Sequence, residues 1–317
     1  MSVLLGALIL FISFAAYSNP VEKTSAKPVE APNPNDPLEK EYLELLALDD
    51  ASQAEVDQWI QESQGSTNFS NATLSLRIRQ RFEPVKKRYD DFLRRNPKHV
   101  RAHLAYGSFL NEIHEEEEGV KHWEKARTLD PRNPAAWNNL ANHYGHRGPV
   151  TNAFVYYAKA IEIDPTEPVY YQNFATTVYL FRKDAMEFYN IDETAVFDKA
   201  LDLYRKAMKL APDDLILASD YAQSFYGTKP PRMQDGLVAW TDVLKIARDD
   251  VEREGVRIHL GRINWKLGNF SEARQHLAAV TNEMYATTKR KLLQNVAESE
   301  SQAKETNASA AASPESK

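Results

Sequence analysis

The sequence predicts an all-α fold made of repeated helix pairs. Pro97, Pro131 and Pro165 lie 34 residues apart, and each follows a stretch with a helical apolar pattern. In residues 135–148, AAWNNLANHYGHRG, apolar side chains recur at spacings of three and four, which places them on one face of a helix. Because proline cannot continue a helix, prolines at a constant period fit the exits of repeated helices.

Small residues at matching places support the same interpretation. The first helices of five aligned copies each carry a large apolar residue directly before a small one: Tyr106–Gly107, Leu140–Ala141, Phe174–Ala175, Tyr221–Ala222 and Leu260–Gly261. The second helices carry a small residue one turn ahead of a large one: Gly119, Ala153, Ala200, Gly236 and Ala273. Small side chains let two helices approach closely, and the large neighbours fill the space beside them.

The copy from Pro134 to Pro165, PAAWNNLANHYGHRGPVTNAFVYYAKAIEIDP, resembles the tetratricopeptide repeat (TPR) family. The resemblance implies a right-handed α-solenoid of TPR helix pairs. Five repeats are assigned to residues 98–285. Both ends of such an array need capping helices, because an open end leaves an apolar face in water.

The predicted caps lie on either side of the repeats. Residues 38–97 are assigned to N-terminal helices with a degenerate leading repeat, as two short helices and a longer element bent or broken near Pro84. Residues 286–300 are predicted as the closing helix. Residues 301–317 are small and polar, and are predicted to be a disordered tail.

The third copy departs from the pattern. Its closing proline comes only at Pro212, which indicates an insertion near residues 181–198. Asn190 and Glu193 have the form of a capping box that opens a lengthened second helix. Three apolar residues of the insertion form a candidate binding surface: Met186, Phe188 and Tyr189. Insertions in repeat proteins often fall on the binding face; the alternative is that these side chains pack a local core.

The N-terminus has the form of an export signal. Residues 1–18 contain an apolar run from Val3 to Ala16 that ends in a small-x-small pattern suited to cleavage before Asn19. The run is shorter than the roughly 20 residues of a membrane span. No Lys or Arg precedes it, however, so the alternative is an uncleaved inner-membrane anchor through residues 3–18. Residues 19–37 are predicted to be a flexible linker. The body of the chain is therefore expected to be exported, periplasmic or secreted.

Composition and charge exclude several classes of function. The formal net charge of −6, with both signs interspersed, leaves no basic face for nucleic acid. The chain has no cysteine, which rules out disulfides, thiolate metal sites and cysteine nucleophiles. His114 begins HEEEE, which lacks the second histidine of a zinc-binding HExxH helix. No glycine-rich phosphate loop or GxSxG motif occurs. We therefore expect no cofactor, no metal and no catalytic residues.

The TPR resemblance places a candidate binding groove on the first helices. The matching positions carry mostly amide and other polar side chains: Asn138, Asn139, Asn142, Gln172, Asn173, Thr176, Asp220, Gln223, His259 and Arg262. This set is similar to the asparagine ladder of some peptide-binding TPR arrays. Amides both donate and accept, so they can pair with the main chain of an extended peptide. Asn139, Asn173 and Asp220 are expected to be exposed and to make these contacts. The alternative is that an exposed helix face is simply polar.

Together these observations predict a non-catalytic TPR scaffold that binds a protein or an extended peptide segment in the cell envelope. Two alternatives stay open. One is a membrane-anchored envelope assembly factor. The other is an uncharacterised hydrolase or metal-dependent enzyme.

Overall fold

The computed structural model describes residue 33, residues 36–64 and residues 71–312. In these ranges every regular element is a helix, so the predicted all-α fold of TPR helix pairs is confirmed. None of the helices described is both long enough and apolar enough to cross a membrane. The predicted signal or anchor, almost all of the predicted linker and the end of the predicted tail lie outside the described residues.

The chain divides into two compact units, Met1–Asn139 and Leu140–Lys317. The helices described in unit 1 are α1 (Pro37–Gln64), α2 (Asn71–Arg95), α3 (Val100–Glu112), α4 (Glu116–Leu129) and the first turns of α5 (Pro134–Arg147). Their core contains Tyr42, Leu45, Tyr89, Phe92 and Phe109. α5 continues into unit 2.

α1 and α2 are each continuous, which corrects the prediction of two short helices before the repeats and that of a break near Pro84. α1 is one helix of 28 residues rather than two short ones. Ser52 lies inside it and donates its hydroxyl to the Leu48 carbonyl at 2.5 Å. α2 passes through Pro84. A proline in a helix interior costs about 3 kcal/mol, and complete burial of the next residue, Val85, and of Tyr89 one turn later offsets that cost.

α3 and α4 approach each other through two glycines. A Cβ atom on Gly119 would lie 2.7 Å from the Gly107 carbonyl oxygen, and one on Gly107 would lie 2.5 Å from Trp123. The Trp123 indole fills the adjacent space and donates its N–H to the Leu104 carbonyl at 3.2 Å. Small residues at these positions therefore set the spacing of this helix pair, as the sequence pattern predicts.

In unit 2 the helices after α5 are α6 (Val150–Ile163), α7 (Pro168–Leu180), α8 (Arg182–Tyr189), α9 (Glu193–Leu210), α10 (Leu215–Ser224), α11 (Met233–Ile246), α12 (Asp250–Leu267), α13 (Phe270–Ala278) and α14 (Ala286–Ala312). Short 3₁₀ turns occupy Phe225–Gly227 and Glu283–Tyr285. α7 packs against α9, α10 against α11, and α12 against α13. Each of these pairs combines a first helix with a second helix of a predicted repeat.

The insertion of the third repeat forms the short helix α8. Its end is marked by Asn190, which has a left-handed backbone with φ of 51°. The next helix, α9, is capped by Asp192, whose carboxylate accepts from the Ala195 N–H at 2.8 Å. The predicted capping box of Asn190 and Glu193 is therefore wrong. Asn190 ends one helix, and the aspartate two residues later begins the next.

α14 is longer than the predicted closing helix and continues from residue 300 to Ala312. Its middle is tied to the preceding repeat, because the Trp265 indole N–H donates to Ser299 Oγ at 2.8 Å and Arg274 pairs with Glu300. Lys304 also pairs with Glu300 one turn along α14, at 3.2 Å. The prediction of disorder from residue 301 onward is thus wrong for the part of the tail that the structure describes. Alanine-rich sequence extends a helix once that helix is anchored.

Candidate functional site

Two of the predicted groove residues are buried in unit 1. Asn138 and Asn139 are only 3% and 6% exposed. Asn139 Nδ2 donates towards Ser108 Oγ at 3.5 Å, and Asn138 Nδ2 lies 3.4 Å from Asn139 Oδ1. The expectation that Asn139 is exposed is therefore wrong, because its amide faces α3 rather than solvent.

Two other groove residues bind the hydroxyls of buried tyrosines in unit 2. The Tyr157 hydroxyl donates to Asn142 Oδ1 at 2.6 Å. In the next repeat, Thr176 occupies the position of Asn142 and Tyr204 that of Tyr157, and their hydroxyls share a hydrogen bond of 2.8 Å. Because both rings are buried, their hydroxyls need protein partners, and these side chains supply one for each; the Tyr157 hydroxyl also accepts from Thr177 Oγ1 at 3.3 Å. This role was not predicted from the sequence, although a tyrosine recurs at the same place of two second helices.

A direct hydrogen bond joins consecutive first helices of unit 2. Gln172 Nε2 on α7 donates to Asp220 Oδ2 on α10 at 2.8 Å. Burial raises the pKa of Asp220, against the hydrogen bond from Gln172, which lowers it. The neighbouring Asn173 is half-buried on α7, and Gln223 is half-buried one turn beyond Asp220. These polar side chains therefore belong to one surface that crosses from α7 to α10.

His259 on α12 acts as an aromatic ring rather than a cation. Its imidazole stacks on Trp240 with ring centres 4.0 Å apart and planes 9° from parallel. Its Nδ1 lies 3.3 Å from the Tyr226 hydroxyl. Burial, together with the charge of Arg262, lowers the pKa of His259 to about 3. The Arg262 guanidinium lies 5.9 Å from the Tyr226 ring centre and is the cation of this group.

We call the unit 2 members of the predicted groove the first-helix face: Asn142, Gln172, Asn173, Thr176, Asp220, Gln223, His259 and Arg262. The face offers amide, hydroxyl and carboxylate groups, which can pair with peptide N–H and C=O groups. Within the ranges described, no group of three or more histidine, aspartate or glutamate side chains is placed to hold a metal ion.

The insertion residues are brought onto α6. The Phe188 and Tyr189 rings lie 5.5 and 5.7 Å from the ring of Phe154, which is buried. Met186 and Tyr189 are partly buried against the core of unit 2, while Phe188 stays 43% exposed. Met186 and Tyr189 thus pack a local core, and Phe188 keeps much of its ring at the surface. Lys199, which belongs to no motif of the sequence, places its Nζ 4.2 Å from the Tyr189 ring centre.

Comparisons with known proteins agree with the fold. Residues 117–168 match the family model described as tetratricopeptide repeat. The structure of PilW, a widely conserved type IV pilus biogenesis factor, is 14% identical, with a TM-score of 0.53 over 78% of this chain and 98% of PilW. The C-terminal part of a TPR repeat-containing protein from Cytophaga hutchinsonii is 11% identical, with a TM-score of 0.50 over 79% of this chain and 98% of that one. No curated protein matches the chain.

At these identities the two structural likenesses show the fold alone. Helix pairs with small residues at their crossings, and polar side chains on successive first helices, define a helical repeat protein. The match over residues 117–168 identifies this part of the chain as tetratricopeptide repeat sequence.

Proposed function

We propose that the chain is a non-catalytic scaffold that holds an extended segment of a partner protein on the first-helix face. The observation that carries this proposal is the hydrogen bond between Gln172 and Asp220. It joins α7 to α10, so polar side chains of two successive first helices form one surface. An extended chain laid across that surface would meet hydrogen-bonding groups from each helix in turn.

The chemistry of the face favours contacts with the partner's main chain. Asp220 accepts one hydrogen bond from Gln172, and a carboxylate can accept several more. A peptide N–H approaching Asp220 would also stabilise its ionised form, which burial disfavours. Asn173 on α7 and Gln223 on α10 supply further amides. Asn142 and Thr176 contribute less, because each already binds a tyrosine hydroxyl.

The test begins with a photo-cross-linking amino acid at Gln223, which identifies the partner, followed by affinity measurements on purified proteins. Replacing both Asn173 and Gln223 by Ala is expected to weaken binding roughly 5- to 150-fold, since each hydrogen bond contributes about 0.5–1.5 kcal/mol. The matched control replaces Gln234 on α11 and Asn295 on α14, outside the face, and should keep full affinity. Full affinity of the Asn173 and Gln223 variant, with its fold intact, would overturn the proposal.

We also propose that the chain is exported, with residues 1–18 as the signal. The apolar run from Val3 and the small residues Ala16 and Ser18 support this. Mass analysis of the protein expressed with its native start should find an N-terminus at or near Asn19. A soluble cytoplasmic product that keeps Met1 would contradict it.

The second candidate function is a membrane-anchored envelope assembly factor. It is favoured by one observation, the absence of Lys and Arg before the apolar run, which is unusual for a cleaved signal. A full-length product that stays with the membrane fraction would support it. The scaffold role of the first-helix face would be unchanged by that result.

A further inference from the structure

The insertion helix builds a cluster of aromatic rings around one lysine. Phe188 and Tyr189 come from α8 and pack with ring centres 4.8 Å apart. Lys199 comes from α9, and its Nζ lies 4.2 Å from the Tyr189 ring centre and 5.9 Å from that of Phe174. We call Phe154, Phe174, Phe188, Tyr189 and Lys199 the lysine–aromatic cluster.

Lys199 has no ion-pair partner among the described residues, although carboxylates lie on the same helix. Asp198 pairs with Arg232 at 2.7 Å. Asp202 pairs with Lys206 at 2.9 Å. The Lys199 ammonium is therefore held against aromatic faces, an attraction that does not replace a counter-ion.

The surroundings of Lys199 strengthen its attraction for an anion. Burial lowers the pKa of Lys199, and the charge of Lys206 lowers it further, against the charge of Asp202, which raises it. Where less water reaches a charge, an opposite charge at the same distance attracts it more strongly. An incoming carboxylate would thus gain more here than at an exposed lysine.

Phe188 supplies an apolar contact beside this cation. Its ring is 43% exposed, while its inner side packs on Phe154. Aromatic residues, Phe among them, are enriched at protein interfaces relative to the rest of the surface. Both Phe188 and Lys199 contact Tyr189, so the cation and the exposed ring are separated by about the width of one side chain.

We propose that the lysine–aromatic cluster binds an extended protein segment in which an acidic residue lies two positions from an aromatic or aliphatic one. The carboxylate pairs with Lys199 and the apolar side chain packs on Phe188. Residues i and i+2 of an extended segment point to the same side roughly 7 Å apart, which fits this spacing. A free C-terminal carboxylate fits less well, because such groups are captured by several backbone N–H groups. This docking surface is separate from the first-helix face and does not depend on it.

The probe is a synthetic ten-residue peptide with Glu and Phe two positions apart in a Gly-Ser background. Two matched peptides replace its Glu by Gln or its Phe by Ala. Affinities are measured by isothermal titration calorimetry on the full chain. The unaltered protein is expected to bind the Glu–Phe peptide about tenfold more tightly than the Gln–Phe peptide, since one desolvated ion pair is lost. Equal affinities, or no binding of the Glu–Phe peptide at millimolar concentration, would overturn the proposal.

Two variants assign the contacts. Lys199→Met keeps the aliphatic stem and should bind the Glu and Gln peptides equally. Phe188→Ala should bind the Phe and Ala peptides equally. The controls are Lys209→Met, an exposed lysine on the same helix, and Leu180→Ala, which is 42% exposed; both should keep the preferences of the unaltered protein. A preference for Glu that survives Lys199→Met would contradict the assignment, and the comparison of peptides on the unaltered protein stands even if a variant fails to fold.

Two further outcomes separate this proposal from others. The variant lacking the amides of Asn173 and Gln223 should bind the Glu–Phe peptide normally, so failure of the first-helix face and failure of this cluster are distinguishable. Sedimentation should show that the chain does not self-associate through Phe188. A dimer that dissociates in Phe188→Ala would assign the cluster to a second copy of the chain and overturn the proposed partner.

Discussion

The hydroxyl of Tyr157 donates a hydrogen bond of 2.6 Å to Asn142 Oδ1, and Tyr204 and Thr176 repeat this contact in the next repeat at 2.8 Å. In both cases a buried tyrosine of the second helix is satisfied by a polar residue of the first helix. A position that looks like part of a binding surface therefore also satisfies a polar group of the core. Such a residue stabilises the folded protein whether or not a partner is bound.

Tyr157→Phe should destabilise the protein by about 0.5–1.5 kcal/mol, the usual net value of one hydrogen bond, because the ring stays packed while its hydroxyl is lost. Urea unfolding followed by circular dichroism measures this. Tyr171→Phe is the control, because the hydroxyl of Tyr171 donates to the Pro165 carbonyl at an exposed site. A loss for Tyr171→Phe as large as that for Tyr157→Phe would argue against the importance of burial.

Gly119→Ala should destabilise unit 1 by about 1–3 kcal/mol, because the added Cβ meets the Gly107 backbone at 2.7 Å and α3 and α4 must separate. Gly145→Ala is the matched change at a buried position with room for a methyl group, where the added Cβ would make an ordinary contact with Thr177 at 3.6 Å. It should be neutral or stabilising by up to about 1 kcal/mol, since alanine favours a helix over glycine. Thermal unfolding of the two variants distinguishes these effects, and equal stability would mean that the close crossing of α3 and α4 does not matter.

Acid should destabilise unit 1 through His122. The Nδ1 atoms of His103 and His122 lie 2.9 Å apart, and His103 Nε2 donates to the Pro97 carbonyl at 3.1 Å, so Nδ1 of neutral His103 accepts from His122. Burial, and then the charge of His103, lowers the pKa of His122 to about 4. A lowered histidine pKa means that the folded state prefers the neutral ring. The stabilising effect is therefore complete above pH 6.5 and is lost as the pH falls from 6.5 towards 4.

The expected loss across that window is on the order of 1–2 kcal/mol after solvent screening. His122→Gln should flatten the dependence of unfolding free energy on pH, while His146→Gln, at an exposed position, should not. Burial raises the pKa of Asp49 and Glu112, so these two carboxyl groups favour the folded state as the pH falls. The pH dependence of each variant is therefore compared with that of the unaltered protein. An unchanged slope for His122→Gln would show that the histidine pair does not control acid stability.

Asn139→Ala should cost more than about 0.5 kcal/mol, the limit expected for an exposed side chain, because it leaves Ser108 facing a buried gap. Asn111→Ala on α3 is the control, since Asn111 is exposed and should change stability by less than that limit. Chemical denaturation of both variants measures the difference. If Asn139→Ala proves neutral in stability, the burial of this amide has no energetic consequence.

The helix pairs could be predicted from the sequence because their signal is local and repeated. Apolar spacing and small residues recur in each copy, so an error in one copy is corrected by the others. The parts predicted wrongly lack that repetition. Local propensity predicts a break at Pro84, but the buried neighbours of Pro84 keep α2 helical. Local propensity also predicts disorder after residue 300, but the contacts of Ser299 and Glu300 anchor α14.

The candidate site likewise has a part that could be predicted from the sequence and a part that could not. The repeat family and the residues that share matching positions on the first helices could be predicted from the sequence, because both follow from periodicity along the chain. The burial of Asn139, the hydrogen bond between Asn142 and Tyr157 and the contact of Lys199 with Tyr189 of the insertion depend on tertiary packing and were not predicted. The physical reason is that the partners of a side chain come from other helices. Burial and hydrogen bonding depend on how the helices pack, which periodicity along one helix does not encode.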